Sequence, residues 1–146
     1  MKQCTRCKEV KPYSSYHKNK KNNDGYTYLC SDCKRKHELA HQRTPKGIIT
    51  MMYSNHRHNS KVRGHELPSY TKQWLSNWIL SQGKFYVLHV NYILSNYDRD
   101  YKPSVDRIHD ELPYTKDNIQ LMTVRDNMLK GYKDAKERGH VKIHNK

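Results

Sequence analysis

Between residues 71 and 83 the apolar positions fall at intervals of three and four. Trp74, Leu75, Trp78 and Ile79 mark one side of a helix, with Thr71 as its N-cap and Gly83 as its end. The next run, FYVLHVNYIL at 85–94, is apolar but does not alternate as a strand would, because Val87, Leu88, Ile93 and Leu94 break the two-residue period. A short helix packed on the previous one is expected, with these Trp and aliphatic positions as core. Upstream, IITMMYSNHRHNSKVR at 48–63 reads as helical, with Ile48, Met51, Met52 and Val62 partly on one side. Its Asn55, His56, Arg57, His58 and Asn59 are expected to form a basic surface. Successive helical residues diverge by about 100°, so His56 and His58 are not expected to share an ion. Thr44-Pro45-Lys46-Gly47 breaks this region from KRKHELAHQR at 34–43, a helix expected to start near the second cysteine pair.

The pattern changes after Pro103. Ser104–Ile108 reads as a short strand, Asp110–Lys116 as a turn-rich loop and Asn118–Thr123 as a second strand. From Val124 or Arg125 a helix begins, carrying Asn127 and Lys130. The expected class is α+β, with a metal-stapled module at 1–43, a basic linker or helix at 44–68, a mainly helical region ending in strand, loop, strand and helix at 69–135, and a basic tail at 136–146.

Composition adds two constraints. Only 34% of the 146 residues are hydrophobic, too few for a large single core, so a staple is expected. The 28 Lys and Arg against 14 Asp and Glu give a formal charge of +14, which suits a polyanionic partner, with nucleic acid first. A membrane is not expected: there is no apolar span, no amphipathic basic helix with a strong apolar face and no signal-peptide core. The expected location is therefore intracellular. Twelve Tyr and two Trp carry nearly all the aromatic content and decide nothing alone.

The staple is visible in the cysteines. All four lie in the first 33 residues, as Cys4-Thr-Arg-Cys7 and Cys30-Ser-Asp-Cys33. Two Cys-x-x-Cys turns aim four thiolates at one point and complete the tetrahedron of a structural Zn²⁺. The competing reading is a pair of disulfides, which a reducing compartment disfavours. Between the pairs, Asp24-Gly25 suggests a tight hairpin turn leading into Tyr26 and Tyr28. Knuckle, hairpin and helix together resemble a treble-clef or zinc-ribbon module. His37 and His41 lie four apart on the expected helix; without a third ligand they read as a solvated or DNA-facing side. Lys18, Lys20, Lys21, Lys34, Arg35 and Lys36 are expected to touch backbone phosphates, the alternative being a solvated charged face.

The window SVDRIHDELPYTKDNIQLMTVRDNMLKG at 104–131 resembles the HNH nucleases, particularly the phage-encoded branch with Pro-Ser-Val-Asp-Arg-Ile/Leu-Asp, whose last place is His109 here, and Pro-Tyr-Thr-x-Asp-Asn-Ile. The resemblance covers about residues 44–135 and implies a ββα-metal fold and metal-dependent DNA cleavage. Carried over, Asp106 and Asn127 are the protein ligands of a catalytic Mg²⁺ or Mn²⁺, and Asn118 ties the loop to the strands and orients the base. Lys130 matches a basic position near the phosphates, and Arg125 is expected to contact DNA as well. The bland alternative is that these Asp and Asn residues only cap and turn. One departure matters: the Asp-His pair usual in the family is Asp106-Arg107 here. Arginine stays protonated, so it cannot be a general base, although it can hold a phosphate. His109, two residues on, would face the same side if the strand continued. It is either the base or an incidental surface residue, and the remaining alternatives are hydroxide formed without a side-chain base or a site that binds without cutting. A monomer would nick one strand, whereas a homodimer would cut both. An RNA-binding zinc protein is a third, weaker reading.

Overall fold

A computed structural model of the chain describes residues 1–139, so the expected basic tail lies, from residue 140 onward, outside the described residues. The class is α+β, with five helices and two small antiparallel sheets among the described residues. The chain divides after Thr44 into two compact units, each with its own core.

In the first unit, β1 (Lys2–Gln3) pairs with β2 (Val10–Lys11) around the first Cys-x-x-Cys turn. Lys8 adopts a left-handed φ of 62° at that turn, and its amide donates to the Cys4 carbonyl at 3.0 Å. The helix α1 (Ser31–Arg43) starts directly after Cys30, which places Cys33 in its first turn. The stretch around Gly25 is a correction. The turn spans Asn22–Gly25, closed by Gly25 N–H to the Asn22 carbonyl at 2.9 Å, and the flanking segments meet only in an isolated Lys18–Tyr26 bridge. Gly25 has φ +74°, a conformation glycine accepts without steric cost, and Asn22 and Asp24 side chains bond nearby backbone instead of leaving a ladder to form.

The second unit opens with α2 (Pro45–Val62), which starts at the proline because the missing N–H is no loss in a first turn. The helix is no linker: Ile48, Ile49, Met52, His56 and Ser60 are buried along one stripe. The expected basic surface at 55–59 is therefore corrected at His56, which is only 3% exposed, while Asn55, Arg57 and His58 are outside. Two shorter helices follow, α3 (Lys72–Leu80) and α4 (Gly83–Leu94). The Thr71 side chain caps α3 by accepting from Trp74 N–H at 3.1 Å. Gly83 starts α4 instead of ending α3, whose C-cap is Ser81.

The expected core of α4 also needs correcting. Val87, Ile93 and Leu94 are exposed, whereas Phe85 and Tyr92 are buried and Leu88 packs at the edge of the core. Phe85 and Tyr92 stand seven apart, two helical turns, which is the spacing that returns to the same face. Trp74 and Trp78 stack on each other at 6.1 Å and lie against the core, half-buried.

The strands β3 (Pro103–Arg107) and β4 (Ile119–Thr123) pair antiparallel from Pro103–Thr123 to Arg107–Ile119, and α5 (Val124–Glu137) leaves β4 without a linker. Thr123 is both the last strand residue and the helix cap: its Oγ1 accepts from Asp126 N–H at 3.0 Å and donates to the Asp126 carboxylate at 2.8 Å. Alternation along β3 buries Pro103, Val105 and Arg107 and leaves Ser104 and Asp106 half-covered on the other face.

Candidate functional site

The cysteine cluster is the simpler of the two sites. The four Sγ atoms of Cys4, Cys7, Cys30 and Cys33 lie within 4.8 Å of one another, all four are free thiols, and Cys4 and Cys30 are fully buried. Such a set fits a tetrahedral thiophilic ion such as Zn²⁺, whose bonds to sulfur are about 2.3 Å. The backbone supports the same chemistry: Cys30 N–H donates to Cys4 Sγ at 3.4 Å, and this hydrogen bond is the main reason the Cys4 thiol is lowered to about 6. Burial and the neighbouring sulfurs push Cys33 up to about 12. Tyr16 closes the cluster, with its hydroxyl donating to the Lys2 carbonyl at 2.8 Å. A four-cysteine cluster of this geometry can hold a structural metal. Lys18, Lys20, Lys21, Arg35 and Lys36 are exposed, and Lys34 is half-covered, with Glu38 at 3.8 Å.

In the second unit the half-covered face of β3 meets α5. Asn127 Nδ2 donates to Ser104 Oγ at 3.4 Å, and Lys130, three residues on and on the same helical face, reaches Asp106 at 3.2 Å. The structure thus brings Asp106, Asn127 and Lys130 onto one strand–helix seam. Lys130 is enclosed by carboxylates: besides Asp106 it binds Asp110 at 2.9 Å and Asp134, its i+4 neighbour, at 3.1 Å. Burial works against its charge, but the hydrogen bonds to Asp110 and Asp134 and the charge of Asp106 outweigh it and hold the ammonium above the ordinary lysine value. For Asp110, burial is opposed in the same way by Lys130 and by Arg138 at 3.0 Å, and the carboxyl lies below its usual range. Lys130, expected to face phosphates, is therefore turned into an acidic enclosure. Arg125 is exposed on the first turn of α5.

The other expected residues separate. Arg107 and His109 do not share a side, because pairing ends at Arg107 and the chain turns. Arg107 is 4% exposed, with its guanidinium Nη1 donating to the carbonyls of Asp110 and Leu112, the second at 2.9 Å, and lying 3.3 Å from His65 Nδ1. The same guanidinium sits 5.3 Å over the Tyr114 ring. So placed, it holds the 108–113 loop and presents nothing to a ligand. His109 is exposed, 3.9 Å from Glu111, at the rim of a cavity of about 200 Å³ that Asp110, Asp134 and Arg138 also line. Asn118 is buried and bridges the loop: its Oδ1 accepts from His109 N–H at 2.8 Å, and its Nδ2 donates to the His109 and Pro113 carbonyls.

Sequence reasoning missed His56, whose Nε2 lies 3.2 Å from the Val105 carbonyl, behind Asp106, and whose Nδ1 lies 2.9 Å from Tyr70 Oη. The ring stacks on Tyr114 at 4.2 Å. Burial, with the Arg107 charge adding to it, lowers this imidazole to about 4. The signal was present: Ile49, Met52, His56 and Ser60 recur at three, four and four, a stripe that includes the histidine. Asp134 was also legible as the i+4 partner of Lys130, whereas Asp110 depends on the loop. No helix among the described residues is long and apolar enough to cross a membrane. Compared with protein families, curated proteins and solved structures, the chain matches none.

Proposed function

We propose that the protein is a metal-dependent DNA endonuclease of the HNH type, with Asp106 and Asn127 as protein ligands of Mg²⁺ or Mn²⁺. The observation that carries the reading is the seam itself: a carboxylate on β3 and an amide one helical turn before Lys130 on α5, with Lys130 bonded to that carboxylate at 3.2 Å. The donor set is all oxygen, as a hard cation prefers, and among the described residues the Asn127 Oδ1 has no protein partner. A divalent ion bound there supplies charge neutralisation at the phosphate and the leaving oxygen. The chain does the rest. Asn118 and Arg107 keep the loop in one shape, His109 at the cavity rim accepts the proton of the attacking water, and exposed basic side chains such as Arg125, Arg35 and Lys36 hold the backbone. Zn²⁺ at the four cysteines staples the first unit.

A second reading keeps the scaffold and drops the chemistry: a DNA-binding protein without cleavage. It draws on one specific observation, the Lys130 ammonium already paired with Asp106, which competes with a divalent ion for the same carboxylate.

Purified protein incubated with supercoiled plasmid and Mg²⁺, Mn²⁺ or EDTA separates the two. Metal-dependent nicking is expected, and Asp106→Ala and Asn127→Ala should abolish it while zinc content and thermal unfolding stay close to wild type. Undiminished cutting by either variant removes the ligand assignment, and binding without cutting by the wild type selects the second reading. His109→Ala should slow cutting by about 10²–10⁴ with DNA affinity kept, as loss of a general base does. An unchanged rate would strike His109 from the mechanism.

A further inference from the structure

One cavity of the second unit joins two cations and the edge of the strand–helix seam. It encloses about 380 Å³ between α2, the 3₁₀ turn at Arg99–Tyr101, the start of β3 and the start of α5. Its lining includes Asn55, Arg99, Lys102 and Ser104 beside Tyr92 and Tyr97, and no carboxylate lines it. Among the described residues neither cation has an acidic partner. The Lys102 ammonium is half-buried with the Met51 thioether, at 3.8 Å, as its hydrogen-bonding neighbour. Burial first, and the charge of Arg99 second, hold Lys102 below the ordinary lysine value. Two cations held together over apolar walls without an anion are a costly arrangement, the opposite of Lys130 with its three carboxylates. An anion entering the cavity removes that cost. Asn55 and Ser104 supply neutral donors, and Ser104 also touches Asn127 across the seam.

We propose that this cavity is a phosphate-binding pocket, formed by Arg99, Lys102, Asn55 and Ser104, that seats one backbone phosphate of the nucleic-acid strand beside Asn127. Its ligand class, a phosphate, follows from the cavity, whereas the choice of a nucleic-acid phosphate rests on the function proposed above. Four kinds of donor, guanidinium, ammonium, amide and hydroxyl, line this one cavity, as a tetrahedral oxyanion requires, and the Lys102 ammonium rests against the Met51 thioether at its wall.

The test has two arms. Titrating inorganic phosphate into the full-length protein, with chloride at matched ionic strength as control, should shift backbone amide NMR signals at 51–55, 102 and 104. Lys102→Met, which keeps the apolar stem, should abolish those shifts without lowering the melting temperature, since it removes a charge that the fold disfavours. In the second arm, a fluorescent DNA duplex is bound across a salt series. Lys102→Met should weaken binding and reduce the slope of log affinity against log salt by about 0.9, the loss of one phosphate contact. Arg99→Gln, at an exposed position, repeats both arms should Lys102→Met fail to fold. Absence of phosphate-specific shifts in the wild type, or their persistence in both variants, overturns the pocket. So does an unaltered salt slope in variants of a protein that still binds and cuts DNA, and the nuclease reading then survives alone. Inorganic phosphate bound by a wild type that binds no duplex upholds the pocket and sinks the DNA reading.

Discussion

His56 and Arg107 occupy the position where sequence expectation and structure part most clearly at the level of single side chains. Both are basic residues in a basic chain, both were expected at a surface or a ligand, and both are more than nine-tenths buried. What turns them inward is the availability of carbonyl acceptors: Val105 for the imidazole, Asp110 and Leu112 for the guanidinium. For His56 the depressed value carries a consequence with a definite sign. The folded imidazole stays neutral down to about 4, while the unfolded chain binds a proton near 6.5, so the stability it contributes is full above that pH and is lost as pH falls from 6.5 towards 4. The loss should amount to about 3 kcal/mol. Urea denaturation at a series of pH values should show it, and His56→Gln should flatten that part of the profile; an equal slope in the variant would mean another group is responsible. For Arg107, replacement by Met leaves two partly buried carbonyls without this donor and should cost about 2 kcal/mol. A urea midpoint within error of wild type would show that the loop does not need its clamp.

At the scale of elements, three- and four-residue recurrence, a local property of the chain, identified α3 and part of α2, whereas α4 was reached from its lack of strand alternation and nothing in the pattern marked the 3₁₀ turn at Arg99–Tyr101. It did not identify which side of α4 is covered. Apolar residues run round that helix, with Val87, Val90, Ile93 and Leu94 exposed, and where nearly all positions are apolar the pattern has no direction. On α2 the stripe was directional, but a histidine and a serine in it disguised its lower half. The strand–helix junction was expected at Val124 or Arg125 and α5 starts at Val124, where Thr123 caps it by accepting from Asp126 N–H. Thr123→Ala should lower stability by about 1 kcal/mol and fray the first turn of α5, where Asn127 sits. Amide exchange measured at 124–128 in wild type and variant checks this, and equal protection would show that α5 is held by packing alone.

Over the whole molecule, the division after Thr44 gives two cores of different chemistry, one of sulfur and tyrosine, the other aliphatic and aromatic. With so few apolar residues around it, the first is expected to depend on an ion held by the four cysteines. Purified protein should carry one zinc per chain, and Cys30→Ser should remove it. Amide protection should then disappear within 1–44 and persist in 45–139; zinc retained at full occupancy in that variant would disprove the four-cysteine site. Two features were decided by the sequence alone: the cysteine spacing, which specifies a tetrahedral donor set wherever the two turns meet, and the order of strand, loop, strand and helix, which follows from local propensity. Only tertiary structure decided that Lys130 is enclosed by three carboxylates, that Arg107 faces inward and that Arg99 and Lys102 share a cavity without an acid. Some partners in these contacts are distant along the chain, such as Asp110 at twenty residues from Lys130 and Met51 at fifty-one from Lys102, and those near Arg107 in sequence meet it only because a loop folds back. A linear pattern records which residues are basic; whether each meets an acid, a carbonyl or an empty space is settled by how the elements pack.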